Sequence, residues 1–298
     1  MRVPYAGLGL DRAADRREHP GWVAAQVADS RARVWPMWRD QCLVVGDPAT
    51  PVALSAERVD PGQLVLLGVG DGVPQFALDL SGLELGDALA IAGADGVADV
   101  RALFGGLTAE LAGMLAYARG LLYWNRQQRY CGRCGAVAEA RHGGHLRVCG
   151  NEGCGALMFP RIAPAVIVLV ETVARRGAEP RRCLLARHAG SAVGGYSLLA
   201  GFVEIGESLE DAAAREIAEE VGVTVRDVRY LGSQPFPFPA GLMVGFRATA
   251  ADEAVVVDGR EILEARWFSR EELRASGRLG RVDAIDRVML TAWLGEDA

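Results

Sequence analysis

The stretch GFVEIGESLEDAAAREIAEEVGV, residues 201–223, is the most informative part of this chain. Its second half predicts a helix, in which each residue turns by about 100°. Glu216, Glu219 and Glu220 are then spaced i, i+3 and i+4, so their carboxylates share one helix face. Like charges in that arrangement repel and lower the stability of the helix. Hard divalent ions such as Mg²⁺ and Mn²⁺ prefer oxygen ligands, so the spacing indicates a site for such cations.

The residues around these glutamates predict where the helix begins and ends and which face it buries. Ser208 and Asp211 form an S-x-x-D capping pattern, and Gly222 is a typical C-terminal stop. An apolar stripe lies beside the carboxylates, made by Ala213, Ile217 and Val221. We therefore expect the helix to pack on a core while its acidic face lines a cleft.

The same stretch resembles the Nudix box, G-x5-E-x7-R-E-U-x-E-E-x-G-U, in which U is an aliphatic residue. Every fixed position is matched, by Gly201, Glu207, Arg215, Glu216, Ile217, Glu219, Glu220, Gly222 and Val223. The alternative is a solvated acidic helix, which most glutamates at this spacing form. The resemblance implies a hydrolase of nucleoside diphosphates linked to another moiety, dependent on divalent cations.

The composition limits the class of protein. The chain has 298 residues, 50% of them hydrophobic and 23% charged, which suits a globular protein of about two domains. A net charge of −6 offers no broad basic surface, so we expect neither DNA nor a membrane as a partner. All 32 basic residues are arginine, which excludes Schiff-base chemistry on lysine. No export signal precedes the first domain and no apolar run approaches the ~20 residues of a membrane span, which predicts a cytoplasmic protein.

Four cysteines form two pairs within residues 131–154, and a glycine follows each of them. The pairs are Cys131-x2-Cys134 and Cys149-x4-Cys154. Cytoplasmic conditions disfavour disulfides, and four thiolates suit one tetrahedral Zn²⁺ ion. We therefore predict a zinc ribbon with one structural ion, because four cysteine ligands leave no open position for catalysis. The alternative is a set of buried or incidental cysteines.

The segments on either side of the ribbon predict two α/β regions. Before it, β-like runs with a hairpin turn at Asp71-Gly72 lead to a helix capped by Thr108. After it, strand-like runs alternate with the acidic helix and two C-terminal helices. The expected fold class is α/β, with a Nudix α/β/α sandwich preceded by a four-cysteine zinc ribbon and an N-terminal α/β domain. The expected domains are 1–125, 126–158 and 159–298.

A second motif suggests the substrate class. Residues 233–239 read SQPFPFP, in which alternating prolines fix the backbone and two phenylalanines offer flat faces for a ring. The alternative is an ordinary rigid loop. The run resembles the SQPWPFPxS signature of the NudC-like NADH pyrophosphatases, a family that also carries a zinc ribbon and a separate N-terminal domain. Ribbon, box and loop occur here in the family order and cover about residues 101–267.

The resemblance implies roles for individual residues. The catalytic glutamates of the family correspond to Glu216, Glu219 and Glu220. Glu219 is our first choice as general base, and Glu261 is the alternative. Two or three Mg²⁺ or Mn²⁺ ions are implied, held by Ala200, Glu216, Glu219, Glu220 and Glu261. The implied substrate-binding residues are Arg101, Phe159, Phe202, Gln234, Pro235, Phe236, Pro237, Phe238, Pro239, Ala240 and Gly241.

The chain departs from the family pattern at some of these positions. Phe236 replaces a tryptophan, Gly241 replaces a serine, and Phe159 replaces a tyrosine whose hydroxyl reaches the substrate. The resemblance implies a homodimer that hydrolyses NADH or NAD⁺ to nicotinamide mononucleotide and AMP, and that removes NAD caps from RNA 5′ ends. Two alternatives stay open, a pyrophosphatase for ADP-ribose or another nucleotide sugar and a non-catalytic nucleotide-sensing regulator. The intact box disfavours the regulator.

Overall fold

The computed structural model describes residues 3–173, 181–191, 194–277 and 279–295. Contacts divide the chain into two compact units. The N-terminal unit comprises Tyr5–Ile162 and the tetrapeptide Pro237–Ala240, and the C-terminal unit comprises Met1–Pro4, Ala163–Phe236 and Gly241–Ala298. The finer division at residues 125/126 and 158/159 stays a prediction.

The N-terminal unit is built on a mixed sheet with helices. Its strands are β1 (Arg33–Trp38), β2 (Gln41–Val45), β3 (Thr50–Pro51), β4 (Leu54–Ser55), β5 (Leu64–Gly70), β6 (Val73–Asp79) and β7 (Gly96–Ala98). Its helices are α1 (Pro20–Val27), α2 (Leu85–Ala92), α3 (Val100–Leu103) and α4 (Ala109–Gln127). The main path runs β3-β2-β1-β6-β5, with β1 parallel to β6. The predicted turn at Asp71-Gly72 is confirmed, since it joins antiparallel β5 and β6.

Helix α4 is the central helix of this unit. Its predicted N-cap is confirmed, because the Thr108 hydroxyl accepts a hydrogen bond from the backbone N–H of Leu111. Leu115 and Leu122 are buried with Trp35 and Met37 of β1 in one hydrophobic core. Among the described residues no helix, α4 included, is both long and apolar enough to cross a membrane.

A small antiparallel sheet follows α4 and carries the four paired cysteines near its ends. Its strands are β8 (Ala138–Arg141), β9 (Leu146–Cys149) and β10 (Leu157–Met158), in the order β10-β9-β8. The backbone N–H of Cys131 donates to Ala136 O at 2.7 Å, and that of Cys149 donates to Ala156 O at 2.9 Å. Both cysteine pairs therefore lie in tight, hydrogen-bonded turns.

The C-terminal unit has one mixed sheet between two layers of helix. Its strands are β11 (Ala163–Glu171), β12 (Arg182–His188), β13 (Leu199–Phe202), β14 (Val225–Phe236), β15 (Gly241–Ala250) and β16 (Ile262–Ser269). Its helices are α5 (Leu209–Val221), α6 (Arg270–Ser276) and α7 (Ile285–Gly295). The described strands run β14-β15-β11-β12-β16, and β13 pairs with β11.

Alternation along β11 explains why helices cover both faces of this sheet. Side chains of a strand point alternately to opposite faces. Val166 and Val168 are buried in the core that α5 closes, whereas Ile167 and Leu169 are buried in the core that α6 and α7 close. The expected α/β/α sandwich is confirmed, and so is the expected α/β region before the ribbon.

Candidate active site

Helix α5 begins and ends where the sequence predicts. The Ser208 hydroxyl accepts from the backbone N–H of Asp211, and the Asp211 carboxylate accepts from the backbone N–H of Ser208, which completes a capping box. Gly222 ends the helix in the left-handed conformation, with φ of 70°. The predicted apolar stripe is buried against β11 and its neighbours, so the opposite edge of α5 faces a cleft.

The cleft has a volume of about 660 Å³ and is lined mainly by β13, α5 and the segment before β16. The three box glutamates of α5 all line it, but they differ in exposure. The Glu216 side chain is 14% exposed and that of Glu219 is 62% exposed, whereas Glu220 as a whole residue is 6% exposed. Ala200 and Glu261 line the same cleft. The structure thus brings together every residue for which we predicted a role in divalent-metal binding.

One carboxylate oxygen of Glu220, Oε2, is buried and finds no hydrogen-bond donor among the described residues. The pKa of Glu220 is raised to about 8, first because burial removes solvent from the carboxylate. Negative charge from neighbouring carboxylates raises it further, from Glu216, Glu261, Asp258 and Glu219. Such a site is short of positive charge, and a set of carboxylate oxygens fits Mg²⁺ or Mn²⁺.

Arg215 holds the loop before α5 onto the helix. Its Nε donates to Glu207 Oε1 at 2.6 Å and its Nη2 donates to the Phe202 carbonyl at 2.9 Å. Its Nη1 donates to Glu216 at 2.9 Å and to Glu219 at 3.1 Å. The hydrogen bonds from Arg215 lower the pKa of Glu207 to about 2, so Glu207 stays ionised. Glu207 is therefore committed to Arg215, whereas the other glutamates keep carboxylate oxygens for a ligand.

Gly201 is required because the Glu216 side chain occupies the space beside it. A Cβ atom built on Gly201 would lie 1.9 Å from Glu216 Cδ and 2.1 Å from its Oε1. Gly201 pairs with Val166 in the β13–β11 ladder, so its backbone cannot easily move away. The glycine that opens the box thus lets a carboxylate of α5 lie directly against strand β13.

Asp258 also lines this cleft, although no motif in the sequence pointed to it. Its carboxylate accepts from the backbone N–H groups of Glu261 at 3.0 Å and Ile262 at 2.8 Å. Its own N–H donates to the carbonyl of Glu220 at 3.1 Å. These bonds fix Glu261 beside the carboxylate face of α5. The signal in the sequence was the Asp258-Gly259 dipeptide, a common turn pair that does not by itself indicate a site.

The SQPFPFP run is only partly a loop, which corrects the prediction. Strand β14 extends to Phe236, and Phe236 pairs with Gly241 of β15. The strand tolerates Pro235 because β14 lies at the end of the sheet order, and edge strands accept proline. Only the tetrapeptide Pro237–Ala240 forms the hairpin tip.

Gln234 is buried rather than open to a ligand. It has no exposed surface, and its amide donates to the Asp283 carbonyl and accepts from the Ile285 N–H, both at 2.8 Å. Its amide is therefore engaged at the start of α7. The structure does not place Gln234 in the cleft, contrary to what a substrate contact requires.

The remaining predicted substrate residues lie in different places. Phe202, at the end of β13, lines the cleft with 67% of its surface exposed. Phe159 follows β10 and is 51% exposed. Arg101 lies in α3, with its guanidinium 5.3 Å from the centroid of the Phe238 ring in the hairpin tip. Among these three residues, Phe202 is the one that lines the carboxylate cleft.

The four paired cysteines converge as predicted. The sulfur atoms of Cys131, Cys134, Cys149 and Cys154 all lie within 4.8 Å of one another. Tetrahedral zinc with Zn–S bonds of ~2.3 Å separates its sulfurs by ~3.8 Å, and two of the pairs here are 3.4 and 3.9 Å apart. Hydrogen bonds from backbone N–H groups, that of Arg133 foremost, lower the pKa of Cys131 to about 7. The donor set fits one Zn²⁺; the identity of the metal stays a prediction.

Known proteins match both units of the chain. A model of the NUDIX domain matches residues 162–291, and a model of the NADH pyrophosphatase-like rudimentary NUDIX domain matches residues 31–124. The proteins named NAD-capped RNA hydrolase NudC from Mycobacterium bovis (strain BCG / Pasteur 1173P2) and Mycobacterium tuberculosis (strain H37Rv) are each 39% identical over 289 residues. Each alignment covers 90% of this chain and 83% of the relative. The human NAD-capped RNA hydrolase NUDT12 is 39% identical over 168 residues, 54% of this chain and 35% of that protein.

The sandwich fold, the intact box and the carboxylate cleft define the class, that of the Nudix hydrolases, which use divalent metal ions. The mycobacterial matches extend well beyond the Nudix domain, through the ribbon and most of the first sheet. Within the Nudix class, this chain belongs to the NudC-like family.

Proposed function

We propose that this chain hydrolyses the diphosphate of NADH or NAD⁺, releasing nicotinamide mononucleotide and AMP, and removes NAD caps from RNA 5′ ends by the same reaction. The main support is the buried Oε2 atom of Glu220, which finds no hydrogen-bond donor among the described residues and lies in a cleft lined by five other acidic side chains. The relatives that carry the name NAD-capped RNA hydrolase support the substrate class.

Charge explains why the reaction needs cations. A diphosphate carries negative charge, and the cleft that would receive it is itself lined by carboxylates, which repel it. Glu216, Glu219, Glu220, Glu261 and the Ala200 carbonyl would hold Mg²⁺ or Mn²⁺ ions, which would supply positive charge to the diphosphate and lower the pKa of the attacking water. We propose two to three such ions, as the family resemblance implies.

Proton transfer is assigned to Glu219. It is the most exposed of the three box glutamates on α5, and it lies one turn from Glu216 and beside Glu220. The water oxygen forms a bond to one phosphorus while Glu219 accepts the proton that the water loses. The bond between the bridging oxygen and that phosphorus breaks, and the bridging oxygen leaves with the electron pair on the other phosphate. Glu261 is the alternative base.

Arg215 and Phe202 have supporting roles in this scheme. Arg215 keeps Glu216 and Glu219 in place through its hydrogen bonds, so these carboxylates enter the reaction already oriented. Phe202 exposes its ring at the cleft, and an aromatic face there can stack on a nicotinamide or adenine ring. A net charge of −6 disfavours binding to a long RNA tract, but it is compatible with binding to the terminal nucleotides of an RNA.

The family resemblance also supports a homodimer and a single structural zinc in each chain. Light scattering coupled to gel filtration measures the oligomeric state, and we expect a mass corresponding to two chains. A mass corresponding to one chain at micromolar concentration would remove the dimer from the proposal.

A substrate panel tests the proposed reaction. Purified protein with Mn²⁺ is incubated with NADH, NAD⁺, ADP-ribose and NAD-capped RNA, and the products are separated by chromatography. We expect AMP together with reduced nicotinamide mononucleotide from NADH or oxidised nicotinamide mononucleotide from NAD⁺. From NAD-capped RNA we expect an RNA with a 5′-monophosphate. A kcat/KM for ADP-ribose well above that for all three NAD-containing substrates would replace the proposal with the nucleotide-sugar alternative.

A further inference from the structure

The hairpin tip Pro237–Ala240 packs on helix α4 at unusually close range. A Cβ atom built on Gly120 would lie 2.7 Å from Pro237 Cβ and 3.2 Å from the Pro239 carbonyl oxygen. Real Cβ atoms essentially never approach a neighbour within 3.0 Å. A proline ring and a backbone carbonyl have little freedom to move aside, since proline fixes its own backbone. Glycine at position 120 is therefore what allows the tip to lie on α4.

The residue before this glycine bonds to the same tip. Arg119 Nη1 donates to the Pro237 carbonyl at 2.8 Å. The Arg119 guanidinium also lies 5.0 Å from the centroid of the Phe238 ring, within the range of a cation–π contact. Asp40 orients Arg119, with 3.8 Å between the charged atoms, and Asp40 also pairs with Arg126, about two turns further along α4. The side chain of Arg119 is 14% exposed, so this contact is well shielded from solvent.

The Phe238 ring is enclosed from other directions. The Tyr5 ring meets it edge-on with centroids 5.3 Å apart, and Tyr5 is 2% exposed. The Arg101 guanidinium lies 5.3 Å from the Phe238 centroid. Phe238 thus packs against the core of the N-terminal unit rather than projecting as a free stacking face. Its contacts fix the backbone of the tip.

We propose that Arg119 and Gly120 are positioning residues for the substrate loop. They need not touch the substrate, because they act by fixing the backbone from Pro237 to Ala240, which is continuous with Phe236 and Gly241. This proposal rests on the proposed function together with the family resemblance, which implies that the SQPFPFP run binds the dinucleotide. It gives α4 of the rudimentary domain a role in substrate affinity, although no catalytic motif is visible in that domain.

The first test is Gly120→Ala, with Gly86→Ala as the matched control. Both glycines are helical, so both variants gain helix propensity, but nothing lies within 4 Å of a Cβ atom at Gly86. For Gly120→Ala we expect KM for NADH to rise about 3- to 10-fold while kcat changes less than about 2-fold, since only substrate binding is weakened. Gly86→Ala should keep both constants. The thermal unfolding midpoint of each variant shows that the protein remains folded.

A second readout does not depend on activity. Hydrogen–deuterium exchange of a peptide containing Phe238, Ala240 and Gly241 reports directly on the tip. We expect exchange there to be about 5-fold faster or more in Gly120→Ala, because the tip opens more often. Arg119→Gln, which keeps the helix propensity of α4, should also show faster exchange at the tip. Gln127→Ala, at an exposed position of α4, should leave the exchange unchanged.

The outcomes separate this inference from the proposed function. Wild-type protein that fails to hydrolyse NADH, NAD⁺ and NAD-capped RNA would refute the proposed function, whatever the exchange data show. Unchanged exchange at the tip in both Gly120→Ala and Arg119→Gln would refute the positioning role. Faster exchange at the tip in these variants, with an unchanged KM for NADH, would also refute the positioning role. The contacts of the tip with α4 would then have no effect on substrate binding.

Discussion

Glu220 is the residue on which the chemistry of the cleft depends. A carboxylate that is buried without a hydrogen-bond donor is unfavourable when ionised, and here other carboxylates surround it. Arg215, whose pKa is raised by its bonds to Glu207 and the other glutamates, supplies positive charge to Glu216 and Glu219. No hydrogen bond from Arg215 to Glu220 is found within the described parts of the chain. A bound divalent cation would satisfy Glu220 directly.

Stability without added divalent ions should therefore depend on pH through Glu220. Its pKa rises from an ordinary 4.5 to about 8 on folding, so between these values the folded state binds more protons than the unfolded state. By linkage, the free energy of unfolding falls as pH rises through this window. We expect the wild type to lose about 1 kcal/mol or more relative to Glu220→Gln between pH 5 and pH 8, since one pKa unit corresponds to ~1.4 kcal/mol. Urea unfolding of zinc-loaded protein at both pH values measures this difference, and equal pH dependence in the two proteins would contradict it.

Gly201→Ala tests the contact between β13 and α5. The new methyl group must displace Glu216, and a shift of ~1 Å in a catalytic group can lower turnover by ~10²-fold. We expect kcat/KM for NADH to fall by about that factor while the protein stays folded. Gly96→Ala, in strand β7 with open space around its Cβ position, is the matched control. Activity of Gly201→Ala close to that of the control would show that the placement of Glu216 is not critical.

At the residue scale the sequence predicted which side chains share a face but not their environments. The i, i+3, i+4 spacing is a property of the helix alone, so it placed Glu216, Glu219 and Glu220 correctly. Burial depends on what packs against the helix, and only the structure shows that Glu220 is enclosed while Glu219 is exposed. Asp258 joins the cleft through a backbone hydrogen bond to α5, a contact that local sequence patterns do not encode.

At the scale of elements, periodicity and capping signals predicted α4 and α5 to within a few residues, and β-like runs located strands such as β11 and β15. The start of the SQPFPFP run was predicted wrongly. Proline usually indicates a loop, but on an edge strand the missing N–H groups cost no ladder bond. Pairing with β15 therefore carries β14 through Pro235 to Phe236. Gln234 illustrates the same limit, because its role depends on α7, about fifty residues further along the chain.

The ribbon is the element whose prediction is simplest to test. We expect one zinc ion per chain by elemental analysis, and a loss of that zinc with a lower thermal midpoint, by ~5 °C or more, in Cys131→Ser. Cys42→Ser is the control, because Cys42 is buried in a different core and should leave the zinc content at one. Stable wild-type protein without zinc would refute the structural role of the metal.

At the scale of the whole molecule, the sequence identified the order of ribbon, Nudix box and proline-rich run, and the comparisons confirm the family. The character of the first hundred residues was less predictable. A few β-like runs and a hairpin turn were readable there, but the helices α1 to α3 were not predicted, and residues 31–124 contain no acidic box like that of residues 201–223. Its mixed sheet contains a parallel pair, β1 and β6. The sheet of the C-terminal unit also contains a parallel pair, β11 and β15. Such likeness lies in long-range pairing, which local patterns do not reveal.

In the proposed function, the carboxylate face of α5 carries out metal-dependent hydrolysis of an NAD diphosphate. The most direct measurement is chromatographic product analysis of NADH incubated with wild-type protein and with Glu219→Gln at saturating Mn²⁺. We expect AMP and reduced nicotinamide mononucleotide from the wild type, abolition of both products by a chelator of Mn²⁺, and a kcat about 10²–10⁴-fold lower for the folded variant. No products from the wild type, or turnover by Glu219→Gln close to that of the wild type, would contradict it.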